Sequence, residues 1–136
     1  MPAKDRYHDT VVRALRKAGW TITAEQFLIV VEERNLWIDI HAEKESERLA
    51  ILVEVKGFEN APSPVESLAN AAGKYTLYLV ALEYIENPLP LYLAISTAEY
   101  NGILSEAIGK QTLRRIGIRL IVFDSDAEEI VQWIEQ

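Results

Sequence analysis

The chain has 136 residues, 49% hydrophobic and 26% charged, a length that fits one domain, residues 1–136, with a real core. With no cysteine and no apolar run near the ~20 residues of a membrane span, it offers no disulfide framework, thiolate metal site or membrane helix. Fourteen basic residues against 21 acidic ones leave a net charge of -7, which argues against tight nonspecific binding through phosphate contacts.

The start, M-P-A-K-D-R, has no hydrophobic signal core, so a cytoplasmic location is expected. From Asp5 to Ala18 the residues Tyr7, Val11, Ala14, Leu15 and Ala18 recur at helical spacing, and Gly19 stops the run. Asp5 and His8 lie along one edge of that stripe. A histidine there is more often a polar boundary residue than a ligand.

Thr21–Val31 is rich in β-branched residues, and its second half, Phe27–Val31, predicts a buried strand. A turn at 32–35 leads into Leu36–His41, and a charged segment, 43–48, leads into Leu49–Val55. Three strands with short polar connections predict an antiparallel meander. Gly57–Ser63 reads as a loop. Ser63-Pro64-Val65-Glu66 then carries a strong helix start, with serine as cap, proline at the first helical position and glutamate three residues after the cap. Gly73 inside this helix predicts close packing or close approach by another group. Further strands are expected at Leu91–Ile95 and Ile118–Phe123, with a helix at Ser105–Ile116 between them. Asp126–Gln136, capped by Asp124 or Ser125, predicts a terminal helix. The resulting α/β order gives a central five-stranded mixed sheet flanked by helices on both faces.

Charges inside the apolar runs of Leu36–Lys56 carry the functional signal: Asp39 interrupts one strand, and Glu54 and Lys56 end the next. Desolvation makes unpaired charges rare on buried strands. Residues i and i+2 share a strand face, so Glu54 and Lys56 point the same way. If Leu36–His41 lies antiparallel beside them, Asp39 reaches the same corner. Two carboxylates and a backbone carbonyl, that of Val55, suit a hard divalent ion such as Mg2+ or Mn2+. A nearby lysine can stabilise a phosphorane-like transition state or position water. Lys74 and Tyr78, spaced i, i+4, share one face of the following helix. The other reading of Glu54 and Lys56 is a strand end that carries a salt bridge.

With a helix ahead of the sheet and another straight after Glu54-Val55-Lys56, the layout resembles the PD-(D/E)XK nuclease superfamily, whose fold is restriction-endonuclease-like. Some members carry Gln-x-x-x-Tyr on the following helix, where this chain has Lys74 and Tyr78. More closely, M-P-A-K-D-x-Y-H at the start, K-A-G-W-T-I-T at 17–23 and V-E-V-K-x-F at 53–58 resemble the XisH family. L-I-V-F-D at 120–124 and V-Q-W-I at 131–134 extend the likeness over essentially the whole chain. Members of that family are named as excision-controlling factors for the fdxN element in cyanobacteria. The resemblance implies a role in DNA element excision beside an XisI-type companion and a site-specific recombinase.

Two readings follow. In the first, the chain is a Mg2+- or Mn2+-dependent DNA endonuclease. Asp39 and Glu54 are its metal ligands with the Val55 carbonyl, Lys56 stabilises charge, Lys74 and Tyr78 contact phosphate, and Asp5 or His8 orients a second metal or a water. Two-strand cleavage needs two sites, so a homodimer fits this reading. In the second, a non-catalytic accessory factor keeps the fold to grip DNA or a partner, with Trp37 and Tyr100 as interface candidates.

Overall fold

The computed structural model describes residues 4–58 and 63–136. The expectations at 59–62, within the Gly57–Ser63 loop, and at the first three residues lie outside this range. The elements, in order, are α1 (His8–Lys17), β1 (Thr21–Val31), β2 (Arg34–Lys44), β3 (Leu49–Val55), α2 (Pro64–Tyr84), β4 (Leu91–Ser96), α3 (Thr97–Tyr100), α4 (Ala107–Ile116), β5 (Arg119–Asp124) and β6 (Glu129–Ile134). The strands form one open mixed sheet in the order β1-β2-β3-β4-β5-β6. The meander β1-β2-β3 is antiparallel as expected, β3-β4 and β4-β5 are parallel, and β5-β6 is antiparallel.

Side-chain alternation gives the sheet two apolar faces. Val11, Val12 and Leu15 of α1 pack with Ile40, Val53, Val55, Ala94, Ile121 and Phe123 on one face. On the other, Leu68, Tyr75, Tyr78 and Leu82 of α2 pack with Ile38, Leu52, Leu93, Leu120 and Val122. Tyr75 is fully buried, and its hydroxyl donates to the Leu91 carbonyl at 2.7 Å and accepts the Arg119 N–H at 3.2 Å. Ser63 caps α2 by accepting the Glu66 N–H, with proline in the first turn.

The sequence reading needs four corrections. Among the described residues the strands number six rather than five, because the expected terminal helix at 126–136 is the strand β6. Asp124 does accept the N–H groups of Asp126 and Ala127, as a helix cap would. Here the same chemistry closes a turn, which Glu128 leaves with φ +55°. The β-branched and aromatic residues of E-I-V-Q-W-I then pair back along β5, Ile134 opposite Leu120. The helix expected from Ser105 begins at Ala107, and a 3-10 turn at Ile103–Ser105 precedes it.

β1 is the third correction. It is an edge strand, and Leu28 and Val30 are 43% and 49% exposed where a buried run was expected. The fourth is Gly73, which is exposed and would meet nothing within 4 Å of an added Cβ. The close approach in this fold falls at Gly109 instead, where a Cβ would stand 2.2 Å from the Ile103 carbonyl oxygen.

Candidate functional site

The β2-β3 ladder runs from Lys44↔Leu49 to Ile40↔Val53 and stops there. Beyond that rung β3 continues against β4, with Glu54 opposite Leu93, and the Lys56 N–H still donates to the Ala94 carbonyl. The backbone groups that part from the ladder find partners in two acidic side chains. Val55 N–H donates to Asp39 Oδ2 at 2.7 Å, and Asp39 N–H donates to Glu54 Oε1 at 3.3 Å. Buried N–H groups must be satisfied somewhere, and here the acids satisfy them.

Both acids are buried, Asp39 at 6% exposure and Glu54 at 2%. Lys74 reaches over from α2 and places its ammonium 2.9 Å from Glu54 Oε2. The same ammonium lies 5.8 Å from the centroid of the Tyr78 ring. Burial first, and the neighbouring Asp39 charge second, push the Glu54 carboxyl up to about 8, while Lys74 pulls it down. Burial lowers the Lys74 ammonium, but Glu54 outweighs it, and the net direction is upward. Tyr78 is pushed up to about 12, mainly by burial and then by Glu54.

The structure thus brings Asp39, Glu54, Lys74 and Tyr78 to one corner. Lys56 continues β3 two residues beyond Glu54, half-buried and on the Glu54 face by strand alternation. The Tyr78 hydroxyl is engaged elsewhere, donating to the Trp37 carbonyl at 2.7 Å. It ties α2 to β2. Two carboxyl groups buried side by side, one of them raised by burial and by the charge of the other, form a donor set that fits a hard cation.

Asp5 and His8 occupy different places. Asp5 accepts the Tyr7 N–H at 3.0 Å and the Gly57 N–H at 2.8 Å, which fastens the start of α1 to the end of β3. His8 is fully buried and places Nε2 2.7 Å from Glu25 Oε1 on β1. Its neighbours Asp9 and Glu25 also face Lys4, at 3.4 and 3.9 Å. That group is spanned by ion pairs already. Trp37 and Tyr100, the interface candidates, are half-buried.

Two residues that the structure singles out carry no expectation from the sequence. Glu99 caps α3 with Ser96 in a reciprocal box and also accepts the Phe58 N–H, joining β4 to the chain that leaves β3. The S-x-x-E spacing at 96–99 could have revealed the cap. Gln26 is the second, and nothing in its sequence context marks it.

No described helix is long and apolar enough to cross a membrane. No curated protein matches the sequence significantly. Two crystal structures are close in both fold and sequence. An XisH family protein from Nostoc punctiforme PCC 73102 is 32% identical over 96% of this chain and 99% of its own, with a TM-score of 0.88. An fdxN element excision controlling factor protein from Anabaena variabilis is 33% identical over the same shares, with a TM-score of 0.88. The family model described as XisH protein matches residues 1–131, and the chain belongs to the XisH family.

Proposed function

We propose that this chain is an excision-controlling factor for a mobile DNA element, built on a metal-dependent DNA phosphodiesterase corner of the PD-(D/E)XK type. The observation that carries the reading is the burial of Asp39 and Glu54 side by side where the β2-β3 ladder ends, with Lys74 on Glu54. Asp39, Glu54 and the Val55 carbonyl would hold Mg2+ or Mn2+. When bound, such an ion supplies Lewis-acid stabilisation of phosphoryl charge and an activated water.

The chain's own residues do the rest. Asp39 and Glu54 would offer a cation two buried carboxyl groups, where its charge would favour the ionised form of Glu54 and attraction is stronger than in water. Lys56, whose side chain has no ion pair with another described residue, is the group free to meet a phosphate oxygen. Lys74 stands where glutamine stands in related nucleases. Its ammonium pairs with Glu54 at 2.9 Å, and with Glu54 engaged by a cation it would be available to a phosphate oxygen. Tyr78 holds α2 against β2 through Trp37 and so keeps Lys74 in reach.

A second reading is an accessory factor that grips DNA or an XisI-type companion, beside a site-specific recombinase, without cutting. Two observations favour it: Lys74 already occupies Glu54 at 2.9 Å, and the net charge of -7 opposes approach to DNA. A homodimer belongs to the first reading, since two-strand cleavage needs two sites.

Supercoiled and branched DNA, incubated with the protein in Mg2+ or Mn2+ beside Glu54→Gln and Lys56→Ala, separates the two. Cutting that both variants abolish supports the enzyme. An inactive but folded wild-type protein in every metal and substrate leaves the accessory role.

A further inference from the structure

Five residues other than glycine have positive φ among the described residues: Gln26, Glu32, Arg48, Glu86 and Glu128. Four of them sit in turns or just past the ends of elements, where this conformation reverses the chain. Gln26 lies in the middle of β1, at φ +61°, and is only 8% exposed. Neither its amide oxygen nor its amide nitrogen has a hydrogen-bond partner. A buried carboxamide with both ends unsatisfied is rare in native proteins and calls for a cause.

Its position supplies one. β1 and β2 pair Glu25 with Ile40 and Phe27 with Ile38, so Gln26 falls on the rung of Asp39. Opposed residues on antiparallel strands have Cα atoms only about 4.5–5.5 Å apart. On that rung both strands change face. Ile40 packs on the α1 side and Ile38 on the α2 side, while Glu25 meets His8 of α1 and Phe27 packs on the α2 side. The local departure from regular sheet that draws Asp39 toward Val55 therefore also sets Gln26 in its strained, buried place.

We propose that the Gln26 carboxamide is a positioning residue of the Asp39–Glu54 corner, which binds the hydrated divalent cation and the phosphate that accompanies it. This deepens the metal-dependent reading and rests on it. The amide oxygen accepts from cation-bound water, and the NH2 donates to a phosphate oxygen, which satisfies both ends. A carboxamide adds these two functions without adding charge to a corner that already holds two acids.

The proposal makes stability and binding move in opposite directions. Gln26→Met keeps the shape and removes two unsatisfied polar atoms, so the metal-free protein melts a few degrees higher. The same variant binds Mn2+ about tenfold more weakly, the usual effect of removing a group that orients a metal's ligands. Gln26→Gly, which also relieves the positive φ, is the second variant should methionine disturb packing, and it too loses Mn2+ affinity. Calorimetric titration of the full chain with Mn2+ and thermal melts read both effects, with Glu54→Gln as the control for the corner. Unchanged Mn2+ affinity in the Gln26 variants, with binding lost in Glu54→Gln, overturns the role of Gln26 and leaves the corner standing. A lower melting temperature in both variants makes Gln26 a structural residue and overturns it too. No Mn2+ binding by the wild-type chain removes the corner reading and Gln26 with it.

Discussion

Asp39 Oδ2 accepts the Val55 N–H at 2.7 Å, just past Ile40↔Val53, the last rung on which β2 and β3 pair as strands. A side chain has replaced a backbone carbonyl as the acceptor, and so a carboxylate is held rigidly beside Glu54. The same bond therefore supports both the sheet and the candidate site. Substitutions at Asp39 separate the two contributions.

Asp39→Ala leaves the buried Val55 N–H without its acceptor and destabilises the fold by about 1–3 kcal/mol. Asp39→Asn keeps an oxygen acceptor and removes the charge that repels Glu54, so it lies close to wild type in urea denaturation of the metal-free protein. Mn2+ binding is lost in both variants. If asparagine were as destabilising as alanine, the Val55 bond would not be the source of the loss.

Glu54 makes stability depend on pH in an unusual direction. Its carboxyl is raised from an ordinary 4.5 to about 8 by burial and by Asp39, so between these values the folded state holds a proton that the unfolded state has released. The contribution from this group is fully present below about 4.5 and is lost as pH rises through 8. In metal-free buffer, Glu54→Gln is accordingly less sensitive to pH than wild type between pH 5 and 9 and gains relative stability toward pH 9. Parallel pH–stability curves for the two proteins would contradict this.

Tyr78→Phe deletes the bond to the Trp37 carbonyl and costs about 1 kcal/mol, because that carbonyl loses its donor. Chemical denaturation measures it. The variant binds Mn2+ as wild type does, since the hydroxyl is committed to β2 rather than to the acids. A selective loss of Mn2+ affinity at unchanged stability would reverse this assignment.

Two glycines have opposite expectations. Gly109→Ala drives a Cβ to 2.2 Å from the Ile103 oxygen and 2.6 Å from the Leu104 Cα, both backbone atoms, and destabilises by about 3 kcal/mol or more. Gly73→Ala meets nothing and stabilises α2 by about 0.5–1 kcal/mol. Thermal melts of the two variants check both signs.

Asp39 and Glu54 were legible in the sequence because carboxylates interrupt apolar runs, and the cost of desolvation makes such interruptions informative. Lys74 was legible through its spacing from Tyr78, but the partner of the Tyr78 hydroxyl was not, since a backbone carbonyl leaves no pattern in the side chains. Gln26 left no trace either. Its meaning lies in a positive φ and two unpartnered amide atoms, which exist only once β1 has paired with β2. The terminal strand was misread because an aspartate accepting two following N–H groups begins a helix or closes a turn equally well. The pairing of Ile134 with Leu120 decided between them.

Local patterning by itself determined the antiparallel meander, the capped α2 helix and the pair of acids, because periodicity and capping act over a few residues. Tertiary structure alone decided that β2 and β3 part at Asp39, that Lys74 meets Glu54, and that the chain ends on an edge strand. These depend on which backbone hydrogen bonds are left over when the sheet is assembled, a property of the whole ladder rather than of any segment. At the Asp39–Glu54 corner, carboxylates supply the acceptors that the ladder no longer provides to the Val55 and Asp39 N–H groups.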